Sequence, residues 1–195
     1  MDSLAPDRRR LIARYRILDV ARKVVGVGSV GTRCWIVLLQ GATADDPLFL
    51  QVKQAQASVL APYSRVSAPY RNEGQRVVTG QRLIQGAPDI LLGWGEIGGI
   101  EFYVRQMRDM KGGIEFEPGE NPNFAEYCAL CGWALALAHA KSGDAAMIAG
   151  YCGQSDALDD ALAAFGRAYA RQTERDYEAM TGAVKSGRLN AASTF

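Results

Sequence analysis

The chain has 195 residues, of which 48% are hydrophobic and 22% charged, and its formal net charge is +1. That is enough apolar material for one domain or two small lobes without disulfide staples, and a near-neutral charge argues against a dedicated nucleic-acid binder. No apolar run approaches the roughly 20 residues that span a bilayer; the start, Met1-Asp2-Ser3-Leu4, has no leader pattern; and Cys34, Cys128, Cys131 and Cys152 form no secreted framework, so no membrane association and a cytoplasmic location are expected.

Residues 6–22 have helical spacing. Pro6 and Asp7 suit a first turn, and Leu11, Ile12, Tyr15 and Leu18 recur at three- and four-residue steps. An N-terminal helix over 1–19 follows, its arginines (Arg8, Arg9, Arg10, Arg14, Arg16) read as a solvated basic face. Residues 20–55 then read as three strands. The first leads into Gly26-Val27-Gly28-Ser29-Val30-Gly31, the second is Cys34 to Leu39, and the third runs from Leu48 to Gln54 with Lys53 near its end. Asp45-Asp46-Pro47 breaks the chain between the last two.

Residues 73–86 have helical spacing weakened by Gly74 and Gly80. Ile90 to Trp94 and Ile100 to Met107 read as strands joined by a hairpin at Gly95 to Gly99. From Asn121-Pro122 the character changes. An alanine- and leucine-rich buried helix is expected over 122–141 and a second long helix over 155–185, with Leu158, Leu162, Phe165 and Tyr169 as its apolar stripe. The predicted organisation is thus an N-terminal helix (1–19), a β-rich lobe (20–113), a helical subdomain (121–186) and a flexible tail (187–195).

The glycine segment is a G-x-G-x-x-G turn, and its surroundings decide its meaning. A helix after the glycines would point to a dinucleotide site, and Asp45 or Asp46 does lie about 20 residues beyond Gly26. Thr32 to Leu39 reads as a strand instead. A glycine loop between strands followed by a lysine on the third is the kinase-like way of covering ATP phosphates. Glycines let backbone N–H groups approach phosphate oxygens, and a lysine adds a compact positive charge. On this reading Gly26, Gly28, Ser29, Gly31 and Lys53 hold the phosphates, and Glu73 on the next helix is the candidate partner for Lys53. Backbone groups of Gln106 and Met107 are placed to meet an adenine edge. The bland alternative is a hairpin that merely turns the chain, with Lys53 solvated.

Other groups carry weaker signals. Cys128 and Cys131 share a helix face, but their spacing to further ligands fits no familiar zinc module. Trp94, Tyr103 and Trp133 read as packing residues. Arg105, Arg108 and Lys111 could form a phosphate site or a plain basic surface.

Several segments resemble the DUF2252 family of bacterial proteins: Val20 to Arg33, Leu48 to Lys53, Gly74-Gln75-Arg76-Val77-Val78, Phe102 to Gly112, and Ala138-His139-Ala140-Lys141-Ser142-Gly143-Asp144. That family is distantly similar to aminoglycoside-phosphotransferase-like kinases. The resemblance implies an α+β chain with a protein-kinase-like small lobe followed by a helical subdomain, an incomplete kinase-like fold. ATP and magnesium are the implied cofactors, beside an unknown small-molecule substrate. It also implies that the chain corresponds to the C-terminal part of longer members, whose upstream half carries G-D-x-H-x-x-N-F-G and D-x-N-D-F-D-like segments. That half would be encoded separately, or the chain would self-associate. Thr79 stands where relatives are expected to carry glutamate. His139 and Asp144 are the in-chain candidates for a catalytic loop, although Ala149 occupies the place of a magnesium-binding Asn. The reading is a nucleotide-binding part of a phosphotransferase-like protein lacking its catalytic loop; the alternative is a non-catalytic binding or scaffold module.

Overall fold

The computed structural model describes residues 3–23, 26, 31–64, 70–107 and 123–190. It divides into two compact units, residues 1–144 and 145–195. The first unit is α+β. Helix α1 (Pro6–Ile12) precedes strands β1 (Arg16–Arg22), β2 (Cys34–Gln40) and β3 (Pro47–Gln54). Helix α2 (Glu73–Ile84), strands β4 (Gly93–Ile97) and β5 (Ile100–Gln106), and helix α3 (Phe124–Ser142) follow. All neighbouring strands are antiparallel, in the order β1-β2-β3-β5-β4.

Side chains alternate across each strand, so the register assigns them to faces. Val37 and Leu39 of β2 share one face with Leu48, Leu50 and Val52 of β3 and with Phe102 and Val104 of β5. That face meets α1. Leu4, Ile12, Leu39, Leu50 and Leu91 form its buried cluster, and Trp35 and Phe102 meet edge to face at 5.4 Å. Ser3 Oγ fastens the N-terminal segment to β4 by donating to Trp94 O (2.7 Å) and accepting from Trp94 N (2.8 Å).

Between that segment and the sheet lies an apolar cavity of about 230 Å³ bordered by Leu4, Ile12, Val52, Gly95, Phe102 and Val104. A Cβ added at Gly95 would meet nothing within 4 Å. Gly95→Val, which fills space and suits a strand, is therefore expected to raise unfolding free energy by about 1 kcal/mol in urea titrations.

Cys34, Gln51, Lys53, Trp94, Tyr103 and Arg105 point to the opposite face. Helix α2 lies there. Its Arg82 guanidinium stands 5.8 Å from the Trp94 ring centroid and donates to Leu92 O (2.6 Å). Val78 is fully buried, and Gly74 lies so near the Phe102 carbonyl that no Cβ fits. Asn72 Oδ1 accepts from Gln75 N (3.0 Å) and Glu101 Oε2 from Glu73 N (2.8 Å), so two donors of the helix start are satisfied.

Several expectations change. The strand expected over residues 90–94 runs instead over Gly93–Ile97, with Gly95 paired to Phe102, and the turn is confined to Gly98-Gly99, both with positive φ. The helix predicted through residue 22 ends at Ile12. Residues 16–22 instead pair with β2 from Arg16↔Gln40 to Arg22↔Trp35, with a register irregularity between Ile17 and Asp19. Ile17 and Val20 suit a strand, and sheet pairing overrides the helical spacing. Helix α3 forms, but Phe124, Leu130, Trp133 and Leu135 are exposed, not buried. It is tied to the preceding elements by Lys141 Nζ donating to Gln85 O (2.8 Å). Finally, a short helix α4 (Ala145–Cys152) precedes α5 (Ala157–Lys185) in the second unit. No helix among the described residues is long and apolar enough to cross a membrane.

Candidate functional site

The glycine segment joins β1 to β2, and backbone bonds fix where it starts and ends. Lys23 N donates to Cys34 O (3.0 Å), and Gln54 N donates to Arg33 O (2.8 Å). Gln54 Oε1 also accepts from Arg33 N (3.1 Å). Gly26 (φ +44°) and Gly31 (φ +82°) adopt left-handed backbone, which side-chain-bearing residues rarely take. Gly28 and Ser29 lie outside the described residues.

Cys34, three residues beyond Gly31, pairs directly with Lys53, which in turn pairs with Tyr103. The lysine is thereby set beside the foot of the glycine segment. It is half-buried and makes no ion pair or hydrogen bond with the described residues. The stretch Val20–Ala44 contains Arg22, Lys23 and Arg33 and no acidic residue. Lys53, opposite Cys34, lies on one face of the sheet, whereas Arg22, opposite Trp35, lies on the other, so these cations flank the segment without converging on a single face.

Glu73 lies at the start of α2 but is spent locally. Its carboxylate is ion-paired with Arg76, three residues on, whose Nη2 donates to Gln56 O (2.9 Å). The Lys53–Glu73 pair is not formed. Thr79 is half-buried on the same helix.

Gln106 and Met107 close β5. Gln106 N donates to an Asp89 carboxylate oxygen and Met107 N to Phe49 O (2.8 Å). Both N–H groups expected to face a base are thus engaged within the protein. Beside them is a polar recess of about 400 Å³ bordered by Gln81, Gln85, Asp89, Arg105, Gln106 and Met107. Arg105 Nε donates to Gln51 Oε1 (3.1 Å), holding the guanidinium along the sheet on the Lys53 side.

Asp89 went unnoticed in the sequence. Its other oxygen accepts from Leu91 N (2.8 Å), so one carboxylate ties the α2–β4 connection to the end of β5. Its position after Pro88 in a turn was the available signal. Asp89→Ala is expected to cost about 2 kcal/mol of stability, measured by denaturant unfolding, because both backbone donors lose a charged acceptor. Asp89→Asn, which keeps one acceptor, is expected to cost less.

The Tyr103 hydroxyl has its pKa raised, chiefly by burial; Cys34 adds to the rise and Arg105 opposes it. His139 is exposed on α3, its carbonyl accepting from Gly143 N (2.8 Å). Asp144 is the residue before α4. Cys128 and Cys131 are exposed free thiols on α3, whereas Cys34 is buried. Among the described residues no three His, Cys, Asp or Glu side chains come together as a metal site.

No curated protein and no solved structure matches the chain. Residues 1–183 match the family model described as "Uncharacterized protein conserved in bacteria (DUF2252)", and the chain belongs to that family.

Proposed function

We propose that this chain is the nucleotide-binding part of a phosphotransferase-like protein, with ATP as the ligand. The observation that carries the reading is the Cys34↔Lys53 pairing, which puts a lysine with no ion pair or hydrogen bond among the described residues across from a position three residues after Gly31, in a stretch that also carries Arg22, Lys23 and Arg33. Backbone N–H groups of the segment and the Lys53 ammonium would share the phosphate oxygens, while left-handed Gly26 and Gly31 let the backbone come close. The base would lie toward the polar recess on the same face as Lys53. With the Gln106 and Met107 N–H groups engaged, side chains such as Gln81 and Gln85 would read its edge.

Magnesium is held mainly by nucleotide phosphates and waters with one or two carboxylates, so the cation is expected to arrive with the nucleotide. Transfer chemistry is not assigned to His139 or Asp144.

A non-catalytic binding or scaffold role is the second reading. It is favoured by the commitment of Glu73 to Arg76. Thermal unfolding with increasing ATP, ADP or inorganic triphosphate, each with and without magnesium, separates the two. Saturable stabilisation by ATP supports the nucleotide reading. No shift at millimolar ATP refutes it and leaves the scaffold role.

A further inference from the structure

Helix α5 carries an apolar stripe of Leu158, Leu162, Phe165, Tyr169, Tyr177, Met180 and Val184, interrupted only by Thr173. Leu162, Phe165, Tyr169, Tyr177 and Met180 are each more than half exposed. Phe165 and Tyr169 stack on one another at 5.6 Å between centroids, a contact within the helix. So long a strip of large apolar side chains is the mark of an interaction face.

The spacing of the stripe says what fits it. From Leu158 through Thr173 to Val184 the steps are four, three, four, four, four, three and four. That series reads the same from either end, with Arg171 at its midpoint. A second α5 laid antiparallel therefore sets Leu158 opposite Val184, Leu162 opposite Met180, Phe165 opposite Tyr177 and Tyr169 opposite Thr173, twice over. Asp176, which falls beside the stripe, comes opposite Gly166, where there is no side chain to bury it.

Charge agrees with this orientation. The start of the helix carries Asp156, Asp159 and Asp160, and its end carries Lys185 followed by Arg188. Antiparallel pairing brings the acidic end of each helix beside the basic end of the other and opposes the helix dipoles, whereas parallel pairing sets like charges side by side. A two-fold arrangement of identical patches is also the commonest form of self-assembly.

We propose that α5 is a homodimerisation helix, its stripe covered by α5 of a second copy running antiparallel. This inference does not rest on the nucleotide reading. The test is sedimentation of the full chain, with circular dichroism to verify that each variant stays folded. The wild type is expected to be a dimer at micromolar concentration. Leu162→Glu and Met180→Lys are each expected to weaken it about a hundredfold, since each places a charge in an apolar seam.

Mixing the two variants is expected to restore dimers. Only the antiparallel register sets the new glutamate opposite the new lysine while leaving Met180 against Leu162 at the other contact. A monomeric wild type, or a dimer untouched by either substitution, overturns the proposal. Failure of the mixture to pair overturns the antiparallel register.

Discussion

Lys53→Ala is expected to abolish the stabilisation given by ATP and to leave the unliganded protein almost unchanged. At a hundredfold excess over the dissociation constant, a ligand that binds only the folded state adds about 2.7 kcal/mol of stability; the variant should lose nearly all of it. The apo protein should move by no more than about 0.5 kcal/mol. Lys53 is half-buried as a residue, makes no ion pair or hydrogen bond with the described residues, and leaves no described partner stranded when removed. Lys53→Arg makes a useful comparison. It keeps the charge but replaces a compact ammonium with a planar fork, so partial retention of binding is expected. Equal ATP shifts in wild type and Lys53→Ala would remove Lys53 from the site, whatever else binds the nucleotide.

Gly74→Val is expected to cost the first unit a large part of its stability. A Cβ at Gly74 would stand 2.2 Å from the Phe102 carbonyl oxygen and 2.8 Å from its carbon. Those are backbone atoms of a paired strand, so relief requires α2 to move off the sheet. Overpacking of this kind costs about 3 kcal/mol, a fall in melting temperature of roughly 6–10 °C for a unit of this size. Gly80 on the same helix gives the control. An added Cβ there meets nothing within 4 Å, so Gly80→Ala should stabilise by about 0.5–1 kcal/mol through reduced backbone entropy. If the two substitutions behaved alike, close packing of α2 on β5 could not be the reason for Gly74.

Strands β2, β3 and β5 and helix α2 were legible because their signals are local, whereas the strand expected over residues 90–94 lies at Gly93–Ile97. Cys34 to Leu39 and Leu48 to Gln54 are rich in β-branched and large apolar residues, and Asp45-Asp46-Pro47 separates them. Residues 16–22 misled because Leu11, Ile12, Tyr15 and Leu18 fit a helix period, whereas the deciding interaction is a ladder with β2 that only folding creates. The position of Lys53 beside the glycine segment could be anticipated, since consecutive strands with a short connection pair in register. The fate of Glu73 could not be read from a distant lysine. Arg76 at the third position along the helix is a nearer competitor and takes the carboxylate. Asp89 stayed hidden because one of its partners, Gln106, lies across a hairpin whose placement the sequence does not encode locally.

The Ser3–Trp94 bonds have a consequence for how the protein should be handled. Trp94 stands opposite Tyr103 of β5, and its own amide and carbonyl are both taken by a single hydroxyl, that of Ser3. Ser3 thus caps an outermost strand at a point where another polypeptide could otherwise add itself by backbone pairing. Trimming the first dozen residues would remove that cap and strip Leu4 and Ile12 from the apolar cavity in one step. Such a truncated preparation should be prone to aggregate, and Ser3→Ala alone should show a milder form of the same sticking.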